Sequence, residues 1–200
     1  MRMCMNLPGT PRLYEDESRR DRMTEHPLRP LFGRAQLEAR IAELGKEISA
    51  LYRGRNPLLV GILKGSFMFL SDLCRAIDEP HEVDFVATEA YLHGRVNPGH
   101  VRLLKDTDVD IAGRDVLIVE DIVDSGRTLS KICQLFAARN PASLRVATLL
   151  DKPERRQVEV PVSFVGFHVP DEFVVGYGLD LAERYRHLDG IYICRIENGD

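Results

Sequence analysis

Apolar positions along the chain fall into short continuous runs that alternate with longer runs at helical spacing. Leu37, Ile41, Leu44, Ile48 and Leu51 lie on one stripe, which predicts a packing helix closed by Gly54. Pro57 to Leu63 is a continuous apolar run, the pattern of a strand covered on both faces. It breaks at Lys64-Gly65-Ser66, before a second helical run through Phe67, Leu70, Leu73, Cys74 and Ile77. Val83, Phe85 and Val86 predict a strand, and Val101 to Leu104 resumes an extended pattern after the polar, glycine-containing segment Glu89 to His100. Such an insertion between two strands predicts a flexible flap, a lid over residues 89–100. Val116-Leu117-Ile118-Val119 is a short buried strand that two adjacent carboxylates, Glu120 and Asp121, are expected to end. A small-residue turn follows, then a helix through Leu129, Ile132, Cys133 and Phe136 that stops at Asn140-Pro141. Further strands are predicted over Leu144–Leu150, Val162–Phe167 and Ile191–Ile196. Strands alternating with helices predict an α/β fold on a parallel sheet, with ligands at the carboxyl ends of the strands near a topological switch point.

Residues 1–30 interrupt that pattern. They hold three methionines in the first five positions, a Glu-Asp-Glu cluster, an Arg-Arg pair and four prolines, with no sustained periodicity. They read as a flexible extension or a translation start set too early, with Met23 as the alternative start. Residues 31–200 then form a single domain, which suits a 200-residue chain that is 44% hydrophobic. A net charge of −4, with lysines and arginines scattered, offers no basic field for nucleic acid. Cys4, Cys74, Cys133 and Cys194 show neither Cys-x-x-Cys pairing nor metal-ligand spacing, and read as reduced thiols in a cytoplasmic protein. No apolar run is long enough to span a membrane, and residues 1–22 lack the apolar middle of a signal peptide.

The chemistry concentrates where the Val116–Val119 strand meets its helix. Free backbone N–H groups and the positive end of the helix dipole attract a dianion there, and Ser125 and Thr128 add hydroxyl donors. Glu120 and Asp121 precede that turn and are expected to reach away from the phosphate, towards neighbouring hydroxyls or a hydrated cation. A ribose phosphate satisfies both demands. No Gly-Lys-Ser/Thr follows a glycine-rich loop, so the pattern departs from a Walker A loop.

The spacing from acidic pair to phosphate turn resembles the phosphoribosyl pyrophosphate signature of the type I phosphoribosyltransferases. From about Leu31 to Ile196 the chain is similar to the bacterial hypoxanthine phosphoribosyltransferases in four separated windows. These are Leu63-Lys64-Gly65-Ser66, the stretch Val116 to Ser130, Leu149-Leu150-Asp151-Lys152-Pro153, and Pro170 to Asp180. The resemblance implies a parallel-sheet fold with helices on both faces, a flexible lid and a small hood. It implies purine salvage, in which a purine nitrogen displaces magnesium-bound pyrophosphate from the anomeric carbon of phosphoribosyl pyrophosphate. It also implies Mg2+ as cofactor, a homodimer or homotetramer, and no nucleic-acid or membrane partner.

Carried over residue by residue, the resemblance places the 5′-phosphate on Asp124, Ser125, Gly126, Arg127 and Thr128 and the ribose hydroxyls on Glu120 and Asp121. Asp124 matches the carboxylate that faces the purine N7 and shares its proton. Lys152 matches the lysine at the 6-oxo group, which selects oxo over amino purines because an ammonium has only donors. Phe173 matches the ring that stacks on the base, and Val174 offers backbone groups to the purine edge. Asp180, with Glu120 and Asp121, matches the metal-holding carboxylates, and Arg186 the guanidinium at pyrophosphate. Lys64 and Gly65 match a pyrophosphate loop that carries a non-proline cis peptide in the family. Read alone, Lys152 is also a surface-turn lysine, Phe173 a core ring and Arg186 a solvated helix residue. Their shared order along the chain ties them together.

Two positions depart from the family pattern. Ala90-Tyr91-Leu92 stands where relatives carry Ser-Tyr-Gly in the lid, and Leu181 replaces an aromatic after Asp180. A regulator on the same fold that binds RNA and takes nucleotides as effectors is the rival expectation. The altered lid favours it, and the complete purine pocket and acidic balance oppose it.

Overall fold

A computed structural model describes residues 27–88 and 103–195. The expected lid over 89–100, the departures at Ala90 to Leu92 and residues 1–26 lie outside the described residues. In chain order the elements are β1 (Leu28–Phe32), α1 (Arg34–Leu51), β2 (Leu58–Leu63), α2 (Phe67–Ala76), β3 (Glu82–Thr88), β4 (Leu103–Lys105), β5 (Asp115–Val123), α3 (Arg127–Ala137), β6 (Ser143–Asp151), β7 (Phe164–His168), β8 (Val174–Val175) and β9 (Ile191–Cys194).

Six strands form the main sheet in the order β4-β3-β2-β5-β6-β7. All neighbours are parallel except β4, which returns antiparallel beside β3. The chain leaves β2 towards β3 on one side and later leaves β5 towards β6 on the other. The switch point therefore lies between β2 and β5, where the loops after Leu63 and Val123 diverge and open a crevice.

Alternation along the strands assigns each face its helices. Leu59, Leu117, Val119 and Leu149 point to the side of α1 and α2, where they pack with Leu37, Ile41, Leu44, Ile48, Phe69 and Leu73. Leu58, Val60, Ile62, Val116 and Ile118 point the other way, onto Leu129, Ile132 and Phe136 of α3. Burying each such side chain stabilises the fold by about 1.5–3 kcal/mol. Helices thus cover both faces. The thiols of Cys74 and Cys133 are half-buried and Cys194 is buried, and burial pushes Cys133 up to about 11.

Some elements differ from their sequence expectation. Leu51 is exposed, and Tyr52 takes its place in the core because 48→52 continues the i, i+4 series of α1. In α2 the buried aromatic is Phe69, while Phe67 opens to solvent. Val83 is exposed and Asp84 is buried, since Asp84 is satisfied by the amides of Phe85 and Asp108 and by the Lys105 ammonium. Glu120 and Asp121 do not end β5. The strand continues to Val123 because β6 keeps pairing with it, Ile122 opposite Leu150 and Val123 opposite Asp151.

A second, three-stranded antiparallel sheet, β1-β9-β8, forms the small hood. Leu28 pairs with Cys194 and Arg29 with Ile193. The expected end of the extension at residue 30 consequently falls inside a strand: Leu28 to Pro30 belong to the hood, and only the ladder to β9 reveals it.

Candidate active site

The crevice at the switch point is lined by the carboxyl ends of β2 and β5. Glu120 and Asp121 sit there only 4% and 3% exposed. As successive strand residues they turn to opposite faces. Glu120 lines a cavity of about 60 Å³ with Val123, Asp124, Ser125, Gly126 and Thr128. Asp121 faces the loop after β2 so closely that a Cβ on Gly65 would lie 1.6 Å from its Oδ2. The expectation that both acids reach away from the phosphate turn therefore holds for Asp121 and not for Glu120. Burial, and then the negative charge of Asp121, push Glu120 well above the usual carboxylate range; burial also raises Asp121.

The turn after β5 is held by backbone. Gly126 adopts φ +79°, and a Cβ there would lie 2.3 Å from the Val158 carbonyl oxygen. The Ser125 carbonyl accepts from the amides of Gln157 and Val158 at 3.0 and 3.1 Å. The first turn of α3 leaves amide N–H groups without intrahelical acceptors beside the small cavity, and the amide of Arg127 donates to the Ser125 hydroxyl at 3.5 Å. This concavity of donors at a helix N-terminus is suited to a phosphate.

Asp124 stands at the edge of that turn. Arg155 Nε lies 3.0 Å from its Oδ1 as an ion pair. Oδ1 is itself buried, so this ion pair is its contact with the loop after β6. Its carbonyl accepts from Arg156 Nε at 3.2 Å. Lys152, 5% exposed, donates from Nζ to the Glu172 carbonyl at 2.6 Å. Burial lowers its ammonium from the usual lysine range, partly opposed by the charge of Asp124. The next residue, Phe173, keeps 41% of its surface exposed, and the following Val174 is buried in β8. An ammonium, a carboxylate and an open ring thus lie along one wall of the crevice.

The opposite wall carries the loop after β2. The Leu63–Lys64 peptide is cis, as the resemblance implied. Lys64 Nζ reaches Glu183 Oε1 at 3.0 Å. Arg186 donates to Glu183 Oε2 at 3.1 Å and to the Gly178 carbonyl at 2.8 Å, and forms an ion pair with Asp180 Oδ1 at 2.9 Å. Asp180 also accepts from the amide of Glu183 at 2.8 Å, so both of its oxygens are engaged. Among the described residues no point gathers three or more His, Cys, Asp or Glu side chains.

Reading the sequence for motifs missed Arg155, Arg156 and Glu183. Arg156 pairs with the buried Asp151, and Arg155 also reaches Asp171 at 3.2 Å. Two consecutive arginines on the same loop as Lys152, at the carboxyl end of a parallel strand, were the available signal.

Residues 33–182 match the phosphoribosyl transferase domain family. The chain is 55% identical over 166 residues to a hypoxanthine phosphoribosyltransferase of Salmonella typhimurium, covering 82% of this chain and 93% of that one. It is 54% identical over 174 residues to the Escherichia coli hypoxanthine phosphoribosyltransferase, covering 86% and 97%. A solved hypoxanthine phosphoribosyltransferase from Staphylococcus aureus superposes with a TM-score of 0.82 at 39% identity, over 91% of this chain and 97% of that one. With the same strand-loop-helix crevice and these matches along nearly its whole described length, the chain belongs to the type I phosphoribosyltransferase family, among its bacterial hypoxanthine phosphoribosyltransferases.

Proposed function

We propose that the chain transfers the 5-phosphoribosyl group of phosphoribosyl pyrophosphate to a 6-oxopurine, hypoxanthine and also guanine, forming inosine or guanosine monophosphate and pyrophosphate. The observation that carries this reading is the place of Asp124, whose carboxylate stands at the start of the phosphate-type turn, 3.0 Å from Arg155 Nε and close enough to Lys152 for its charge to raise that ammonium. In the reaction the purine N9 forms a bond to the anomeric carbon as the bond to pyrophosphate oxygen breaks with its electron pair. Asp124 accepts the proton that the base loses at N7, and its charge favours the cationic ribosyl centre.

Ser125, Gly126, Arg127 and Thr128 hold the 5′-phosphate, with Asp124 at the start of the turn. Glu120 and Asp121 take the ribose hydroxyls. Lys152 donates to the 6-oxo group while Phe173 stacks on the ring and Val174 presents its backbone. Lys64, Gly65 and Arg186 face pyrophosphate. Mg2+ suits a site with separate carboxylates, because it takes one or two of them and completes its octahedron with water and phosphate oxygens. Of Asp180, Glu120 and Asp121, which do not gather at one point, one or two at a time would hold it, and when bound it would neutralise charge on the leaving group. A cytoplasmic location and a homodimer or homotetramer belong to the same reading; light scattering on the eluting protein measures the second. Among the described residues no helix is long and apolar enough to cross a membrane.

The test is turnover of the purified chain with phosphoribosyl pyrophosphate, Mg2+ and each purine in turn. Hypoxanthine and guanine are expected to react, and adenine to react at least about tenfold less well because the Lys152 ammonium cannot accept from an amine. Turnover with adenine alone, or with no purine, overturns the reading.

A further inference from the structure

Both cations assigned to the leaving group are already engaged by one side chain. Glu183 spans them with its two oxygens: Oε1 lies 3.0 Å from Lys64 Nζ, and Oε2 lies 3.1 Å from Arg186 Nη2 and 3.3 Å from Arg186 Nε. Those are the contacts a pyrophosphate oxygen pair needs. The remaining partners of Arg186, the Gly178 carbonyl and Asp180, fix its guanidinium independently of Glu183.

The backbone presents Glu183 deliberately to this position. Ala182 and Glu183 have φ of 51° and 64°, a left-handed conformation that L side chains rarely adopt. The turn is closed by reciprocal hydrogen bonds between Leu181 and Arg184, and the amide of Glu183 is tied to Asp180 Oδ2 at 2.8 Å. Its carboxylate nevertheless points into an open place, with Lys64 and Glu183 side chains each 56% exposed. Exposed ion pairs are weak and exchange readily, so a more highly charged anion displaces such a carboxylate without repacking anything.

We propose that Glu183 is a resident anion at the pyrophosphate end of the site. Resting on the reaction proposed above, it pairs with Lys64 and Arg186 when the site is empty, competes with pyrophosphate for them, and so weakens product retention. The function of the side chain is release of the leaving group, a role distinct from binding it.

Titration calorimetry of inorganic pyrophosphate with Mg2+ into the full chain, Glu183→Gln and Glu183→Gly reads this directly. Gln keeps the shape without the charge, and Gly suits the left-handed backbone, so at least one variant retains the turn. The expected result is pyrophosphate binding tighter by about three- to tenfold in the variants, the range that removing a weak competing ion pair allows. Inhibition of turnover by added pyrophosphate should strengthen by the same factor. Unchanged or weaker pyrophosphate binding in folded variants overturns the inference and leaves the reaction reading intact. Failure of the unaltered chain itself to bind pyrophosphate overturns both.

Discussion

The turn after β5 and the turn over residues 180–186 face opposite ends of the proposed substrate, and they are built from different materials. After β5 the chain is pinned by backbone: Ser125 accepts two amides from residues 157–158, Gly126 is wedged beneath Val158, and Glu120 is buried in the sheet. None of these contacts can be exchanged without moving backbone. Around residues 180–186 backbone hydrogen bonds also close the turn, but its charged groups are held to the loop after β2 by a side-chain ion pair, and Lys64 and Glu183 are both 56% exposed. Preorganised backbone donors suit the 5′-phosphate, which stays on the product through the reaction. Exchangeable pairs suit a group that must leave.

Asp124 offers the strongest test of that division. Asp124→Ala should lower kcat by roughly 10²–10⁴, the range for a lost acid–base group, with little change in melting temperature or in phosphoribosyl pyrophosphate affinity. Steady-state kinetics with a melting curve check it, and an early-melting variant that turns over normally would reduce Asp124 to a strand terminator.

Gly126→Ala attacks the rigid end itself. A Cβ at φ +79°, 2.3 Å from a carbonyl oxygen, should cost about 1–3 kcal/mol of stability and weaken phosphoribosyl pyrophosphate binding in parallel. Urea denaturation and ligand titration report the two effects. Retained stability would show that the turn is softer than its hydrogen bonds imply.

Glu120→Gln separates burial from charge at the same end. The folded-state pKa of Glu120 is raised, so its protonation favours the native state below the unfolded value of 4.5, and this contribution is lost as pH rises through the folded value. The amide escapes that loss. Without substrate, the variant should therefore melt a few degrees above the unaltered chain at about pH 8 and lose the advantage towards about pH 4. An advantage independent of pH would point to packing instead of ionisation.

Lys64→Ala is the mildest change, because it breaks only an exposed pair. It should move the melting temperature by less than about 2 °C while weakening pyrophosphate binding. A larger thermal shift would mean that the 180–186 turn is as structural as the turn after β5, and the comparison would fail.

Much of this architecture was legible before the structure. The i, i+4 stripe through Leu37, Ile41, Leu44 and Ile48 and the apolar runs at Pro57–Leu63 and Val116–Val119 identify core elements, because burial imposes the period of the element on the sequence. Ordered windows at Lys64-Gly65, Glu120 to Thr128, Lys152 and Phe173 to Asp180 likewise fall on strand ends and loops around the switch point. Illegible were contacts between distant segments: Lys64 with Glu183 across 119 residues, Arg155 on Asp124, and Leu28 with Cys194. The point at which β5 stops was equally hidden, since two carboxylates mark a strand end locally but can be carried inside when a neighbouring strand continues to pair.

By itself the sequence determined the parallel α/β class, the phosphate-type turn and the chemical inventory of the site, for each depends on local periodicity or on neighbours within a few residues. Only the tertiary structure decided that Glu120 and Asp121 divide between two faces, that Arg155 comes to the buried Asp124 Oδ1, and that one carboxylate spans Lys64 and Arg186. Which distant group satisfies a polar atom is settled by the packing of whole strands and helices against one another, and no local pattern carries that information.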